Sequence, residues 1–145
     1  MQPLIRTTGI SKQYPSGGTI VRAVSNVSLS IEHGEFVAIR GRSGSGKSTL
    51  MNLLGLLDRP DSGEYAFNGR EVAKLSEDRR AEIRSHDIGF IFQLPALLPR
   101  ASALENVELP LVYADIPSSK RRRAAKNALD RVGLADRSHH WPNQL

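Results

Sequence analysis

The stretch GRSGSGKS, residues 41–48, lies between an apolar run at 36–39 and a segment at 50–57 whose leucines recur at helical spacing. It satisfies the pattern G-x-x-x-x-G-K-[ST]. In this pattern the glycines let the backbone fold tightly, so that its N–H groups converge on an anion at a helix N-terminus. A flexible glycine–serine turn would explain the glycines, but it would not explain a Lys-Ser pair at the start of a helix.

The Lys-Ser pair predicts a triphosphate ligand with its metal ion. Lys47 is placed to reach the terminal phosphates, and the Ser48 hydroxyl to complete the coordination of Mg²⁺. Nucleotide kinases, GTPases and helicases share such a loop. The loop by itself therefore does not identify the function.

The composition is that of one globular domain. The chain has 145 residues, of which 39% are hydrophobic and 24% charged, and it contains no cysteine. No long apolar segment marks a signal peptide or a membrane span, so we expect a cytoplasmic protein without a transmembrane segment of its own.

The net charge of +5 comes from one segment. Residues 118–137 carry seven basic and two acidic side chains, and the rest of the chain is balanced. A solvated helix end is the favoured interpretation. Anionic lipid or an acidic loop of a membrane partner is the alternative, and nucleic acid is disfavoured as a partner.

The patterns along the chain predict a run of short strands up to residue 39, with breaks at Gly17-Gly18 and His33-Gly34. A helix follows over 48–57, and a hairpin turns at Asn68-Gly69. Ser76 is expected to cap a second helix, and residues 88–92 to form a buried strand.

Helical patterns dominate beyond Pro99. Ser102 and Glu105 have capping-box spacing, and Ser118 or Ser119 is expected to begin a last helix that ends near Gly133. One face of that helix is predicted to be apolar, with Ala124, Ala125, Ala128, Leu129 and Val132.

Two stretches closely resemble the ATP-binding cassette (ABC) transporter ATPases: residues 21–72, which include the loop, and residues 87–111. The resemblance is greatest to the branch that serves lipoprotein release and macrolide export. The resemblance implies an α/β P-loop NTPase fold of the ABC type. It implies an antiparallel β subdomain over 1–35, a P-loop core and hairpin over 36–95, and the start of a helical subdomain over 96–145. The parallel core sheet would be incomplete, with strands near 36–39 and 88–92.

The resemblance also assigns roles to single residues. Tyr14 would stack on the adenine ring, and Gln93 would approach Mg²⁺ and the attacking water, so Lys47 and Gln93 are the catalytic candidates and Ser48 and Gln93 the metal ligands. The loop would bind ATP through Gly41, Arg42, Ser43, Gly44, Ser45, Gly46, Lys47, Ser48 and Thr49.

Other family features have no convincing counterpart in the sequence. Asp115 follows an apolar run but is preceded by Pro110 in a region where the family has a helix, and His139 and His140 are unconvincing as a switch histidine. The motif L-S-G-G-Q is absent, although Leu145 stands where it would begin. We therefore expect the N-terminal part of an ATPase domain, which binds Mg·ATP or Mg·ADP weakly and does not hydrolyse ATP alone.

The function implied by the resemblance is an ATP-binding subunit that uses ATP and Mg²⁺ to energise a membrane permease, for export or lipoprotein release. Such subunits form head-to-tail dimers on the inner face of the cell membrane. The alternative is a non-enzymatic interaction module that uses its basic helix to bind a partner or nucleic acid. A small kinase is disfavoured by the spacing of "SGEYAFNG" (62–69) and "FIFQ" (90–93). A chain with unpaired core strands should also be marginally stable or self-associate.

Overall fold

The computed structural model describes residues 2–93 and 96–145. Leu94 and Pro95, which belong to the resembling stretch 87–111, lie outside the described residues. The chain divides into two compact units, one ending at Gly89 and the other beginning at Phe90. The first unit contains the strands Ile5–Ser16 (β1), Thr19–Ile31 (β2), Ser62–Phe67 (β3) and Arg70–Glu71 (β4), with the helices Lys47–Leu54 (α1) and Glu77–Asp87 (α2).

The sheet of the first unit has the order β2-β1-β3-β4, and all its pairings are antiparallel. The prediction of several short strands before residue 39 is wrong, because β1 and β2 are two long strands of 12 and 13 residues. They are joined by a turn at Gly17-Gly18, where both residues have positive φ. This pairing places residue 14 opposite residue 21.

The two expected core strands are not strands in the structure. Neither 36–39 nor 88–92 is assigned as strand, and the one sheet of the described residues does not include them. The physical reason is that a parallel strand exists only by hydrogen bonding to neighbouring strands, and these two segments have none in the described part of the chain. The apolar runs led to the prediction of strands, but an apolar run does not by itself provide the hydrogen-bonding partners that a strand needs.

The core of the first unit lies between the sheet and α1. Ile10, Leu53, Leu56, Tyr65 and Val72 are fully buried there. The Tyr65 hydroxyl donates a hydrogen bond of 2.6 Å to the carbonyl oxygen of Leu54, so the sheet is bonded directly to the end of α1. Burial of the phenol raises the pKa of Tyr65 far above its ordinary value.

The local signals around the hairpin and α2 are confirmed. Asn68 and Gly69 both have positive φ between β3 and β4, as a two-residue hairpin turn requires. Ser76 caps α2 by accepting a hydrogen bond from the backbone N–H of Arg79. Helix α1 ends earlier than predicted, at Leu54 with Gly55 as its C-cap.

The second unit is a pair of helices, Ala103–Tyr113 (α3) and Ser118–Arg131 (α4), followed by short 3₁₀ turns at Ala135–Arg137 and Pro142–Gln144. The predicted capping box of Ser102 and Glu105 is present at the start of α3. Asp115 follows the end of this helix and has a φ of 53°. The apolar run that precedes Asp115 is therefore helical and not a strand.

Only part of the predicted apolar face of α4 is buried. Ala125 and Leu129 pack with Ala103 and Leu104 in the core of this unit. Ala124, Ala128 and Val132 are exposed, so the buried stripe is narrower than predicted. The partly buried Val107 and Leu134 complete the contact between this stripe and α3.

None of the helices in the described ranges 2–93 and 96–145 has the length and hydropathy to cross a bilayer.

Candidate phosphate-binding site

The loop at 41–48 ends at the first turn of α1, and glycine is required there. Gly46 is the N-cap of α1 with φ 86°, and no side chain caps the helix. A Cβ atom at this position would lie 1.9 Å from the carbonyl oxygen of Ala23 in β2. Gly46 therefore lets the loop lie directly on β2, and the backbone N–H groups of the first turn are left for another acceptor.

The ammonium group of Lys47 folds back over this loop. Its Nζ donates hydrogen bonds to the carbonyl oxygens of Gly41, at 3.0 Å, and Arg42, at 2.7 Å. An ammonium carries three N–H donors, so one remains for a ligand above the loop. The loop and the first turn of α1 thus form a cradle for an anion, and the positive charge of Lys47 is held beside it.

A cavity of about 300 Å³ lies between the loop and strand β2. Its walls come from two parts of the chain that are distant in sequence: the loop and first turn of α1, and one short piece of β2. The lining residues are Val21, Arg22, Ala23, Ser43, Gly44, Ser45, Gly46, Lys47, Ser48 and Thr49. Gly41 and Arg42 contribute the carbonyl oxygens that hold Lys47.

Tyr14 is on β1 beside this cavity, although its side chain does not line it. It is half-buried and pairs with Val21, a cavity residue, across the β1–β2 ladder. Directly opposed residues of an antiparallel pair have their side chains on the same face of the sheet.

The Tyr14 hydroxyl is held by a charged network that the sequence did not predict. It donates a hydrogen bond of 2.6 Å to Oδ2 of Asp58, just beyond α1. Oδ1 of Asp58 accepts a 2.8 Å hydrogen bond from Lys12 Nζ, which also donates to the carbonyl oxygen of Arg59 and lies 3.6 Å from Asp61 Oδ1. Lys12 is 8% exposed.

The network shifts three pKa values. The hydrogen bond to Asp58, together with burial, raises the pKa of Tyr14. Burial would raise the pKa of Asp58, but hydrogen bonds from Lys12 and Tyr14 outweigh it and lower that pKa. Burial would lower the pKa of Lys12, but its bond and charge interaction with Asp58 raise it. All three groups are therefore held in their neutral-pH protonation states.

The two predicted metal ligands are found in different units. Ser48 is in the first turn of α1, beside Lys47. Gln93 is exposed in the second unit, at the end of a segment that is not a strand. Within the described ranges, no three His, Cys, Asp or Glu side chains are grouped to hold a metal ion. A hydroxyl at the mouth of a phosphate cradle suits Mg²⁺, which usually keeps its waters and is bound largely through phosphates.

Sequence reasoning missed Asp58, Lys12 and the β2 wall of the cavity. The Gly17-Gly18 pair could have predicted this wall, because a two-residue turn there pairs residue 14 with residue 21, which lines the cavity. The Asp58 contact joins residues 44 positions apart, and no local pattern encodes such a distance.

Loop, helix and cavity together define a P-loop protein, and comparison with known proteins identifies the family. A family model described as ABC transporter matches residues 24–145. The macrolide export ATP-binding/permease protein MacB 1/2 of Paracoccus denitrificans is 51% identical over 143 residues, covering 99% of this chain and 21% of the relative. The pyoverdine export ATP-binding/permease protein PvdT of Pseudomonas aeruginosa is 54% identical over 144 residues, covering 99% of this chain and 22% of the relative.

Solved structures agree with this assignment. The dimeric post-hydrolysis state of the ATP-binding cassette MJ0796 bound to ADP and Pi superposes with a TM-score of 0.86 at 40% identity. The match covers 97% of this chain and 62% of the MJ0796 chain. The chain belongs to the ABC transporter family, and the predicted family and fold class are confirmed.

The chain spans only part of these relatives. It covers about one fifth of the two export proteins, at 21% and 22% of their length. It covers 62% of an uncharacterized ABC transporter ATP-binding protein of Thermotoga maritima, to which it is 48% identical over 145 residues.

Proposed function

We propose that this chain binds Mg·ATP through residues 41–49 and acts as the ATP-binding subunit that energises a membrane permease. The observation that carries the proposal is the cradle itself. Uncapped N–H groups at the start of α1, the Lys47 ammonium and the cavity wall at Ala23 surround one space. Two kinds of positive potential, a helix N-terminus and a side-chain cation, therefore act on the same anion.

Within this site each residue has a distinct task. Lys47 neutralises charge on the terminal phosphates, while the glycines allow the backbone to approach them closely. Ser48 supplies a hydroxyl to Mg²⁺. Tyr14 offers an aromatic face to the base from β1. Gln93 would contact Mg²⁺ and the attacking water as part of the ATPase site.

The transport role is supported by the names of the relatives. Export ATP-binding/permease proteins for macrolides and pyoverdine are each more than 50% identical to this chain. We propose that ATP binding and hydrolysis drive a permease in the same way here, with the ATPase domains paired as a dimer on the cytoplasmic face of the membrane. Export is the favoured direction, because the relatives are exporters.

A thermal melt with and without Mg·ATP tests the phosphate site. A ligand that binds only the folded state stabilises it by about 2.7 kcal/mol at roughly 100 times its Kd. Lys47→Ala removes the ammonium over the loop, so we expect this variant to lose the shift that the unchanged chain shows.

Lys126→Ala is the matched control, because Lys126 is an exposed lysine of α4 in the other unit. It should keep the full shift. An equal shift in the Lys47→Ala variant, or its absence in the unchanged chain, would contradict the proposed site. Stabilisation by short DNA without response to ATP would favour an interaction module instead.

A further inference from the structure

Tyr14 is restrained at its hydroxyl end more strongly than a tyrosine that only stacks requires. Its hydroxyl bonds to Asp58 at 2.6 Å, and Asp58 is itself bound by the buried ammonium of Lys12 at 2.8 Å. That ammonium lies 5.3 Å from the centroid of the Tyr14 ring. The ring is thus held at its hydroxyl tip and approached by a cation.

The restraint connects two elements that adjoin the candidate site. Asp58 follows α1, the helix that begins at the phosphate loop, and Tyr14 belongs to β1, next to the strand that forms the other wall. The Asp58–Tyr14 bond therefore ties the aromatic side chain to the element that carries the loop. A base that reaches the ring would meet it on the face turned away from Lys12.

We propose that Asp58 is a positioning residue, which holds the Tyr14 ring through its hydroxyl so that a nucleobase can stack on it while the phosphates occupy the loop. The inference rests on the proposed nucleotide site and adds to it a residue that acts only on the base. Lys12 has the supporting task of keeping the Asp58 carboxylate ionised and in place.

The proposal separates base recognition from phosphate recognition. A ring without its anchor can still rotate into contact, but it must be ordered when the base binds, which reduces affinity. The loss should affect ligands that carry a base and spare those that consist of phosphate alone. A network that only stabilised the fold would affect both ligands equally or neither.

The experiment compares Mg·ATP with Mg·tripolyphosphate by calorimetric titration of the 145-residue chain. Tyr14→Phe keeps the ring and removes only the hydroxyl, and it should weaken Mg·ATP binding roughly three- to tenfold, the cost of ordering one side chain on binding. Its affinity for Mg·tripolyphosphate should be unchanged. Asp58→Asn should act in the same direction, and Tyr113→Phe, at an exposed tyrosine of the second unit, is the matched control.

The anchor can also be measured without nucleotide. The absorbance of tyrosinate, taken as the difference between the unchanged chain and the Tyr14→Phe variant, gives the titration of Tyr14. The same difference in the Asp58→Asn background should move to lower pH, because the acceptor that stabilises the protonated phenol has lost its charge.

The outcomes are distinguishable. Unchanged Mg·ATP affinity in Tyr14→Phe, equal losses for both ligands, or an unmoved Tyr14 titration in Asp58→Asn would each overturn the positioning role. Binding of tripolyphosphate as tight as that of ATP would leave the phosphate site intact and overturn base stacking. Binding of neither ligand would overturn the proposed function itself.

Discussion

Asp58 shows how much a single carboxylate can organise in this protein. It accepts hydrogen bonds from the Lys12 ammonium, the Tyr14 hydroxyl and the backbone N–H of Arg59. Removing this carboxylate would leave its three donors without their acceptor, which costs more than the bonds themselves contributed. The same residue therefore affects both the stability of the first unit and the orientation of Tyr14.

The pH dependence of stability should reveal this carboxylate. The pKa of Asp58 is lowered in the folded chain below its ordinary value of 3.8. The contribution of Asp58 to the free energy of unfolding is therefore present above pH 3.8 and is lost as the pH falls from there toward the folded pKa. The free energy of unfolding, measured by far-ultraviolet circular dichroism in urea, should fall more steeply below about pH 4 for the unchanged chain than for Asp58→Asn. Asp130→Asn, at an exposed site of α4, is the control, and parallel curves for Asp58→Asn and the unchanged chain would contradict the expectation.

At the scale of elements, the two long helices of the second unit begin in different ways. Helix α3 starts with a complete capping box, in which Ser102 N–H donates to Glu105 Oε2 at 2.7 Å and Glu105 N–H donates to Ser102 Oγ at 3.3 Å. Helix α4 begins after Pro117 without a side-chain cap, and with cations in its first turns. Cations at a helix N-terminus oppose the macrodipole, so α4 depends on its packing against α3.

Ser102→Ala should destabilise the second unit by about 1 kcal/mol, the usual effect of removing a serine cap. Ser119→Ala is the matched control, since α4 has no side-chain cap, and should change stability by less than about 0.5 kcal/mol. Trp141 is the only tryptophan of the chain and lies in this unit, so its fluorescence in urea reports the unfolding directly. Equal effects of the two variants would show that the box contributes nothing.

At the scale of the whole molecule, the apolar runs that were expected to be core strands expose large apolar side chains to solvent. Phe36 is 94% exposed and Ile91 is fully exposed, while Phe90 and Phe92 stack on each other with ring centroids 5.5 Å apart. Exposed apolar segments without strand partners favour association with other chains. The expectation of self-association thus has a specific location.

Ile91→Ser should reduce self-association without lowering the melting temperature. A fully exposed isoleucine contributes little to the folded state, but a polar residue there removes apolar area from any contact between chains. Sedimentation velocity over a dilution series measures the association, and Ser138→Ala, away from these runs, controls for substitution itself. A monodisperse monomer for the unchanged chain would contradict the prediction.

Contiguous signals in the sequence determined the loop, the hairpin at Asn68-Gly69 and the caps at Ser76 and Ser102. In each case the interacting groups are within a few residues of one another, so their spacing already states the geometry. The family resemblance followed from the same kind of contiguous motif, and the comparisons confirm it.

Only the tertiary structure decided which apolar runs became strands and what surrounds the loop. A strand requires a partner, and the runs at 36–39 and 88–92 find none among the described residues, whereas β1 and β2 extend along each other. The Asp58–Tyr14 bond and the wall at Ala23 depend on how the sheet, α1 and the loop pack. Such contacts join residues far apart in the chain, and their distances exist only once the fold has formed.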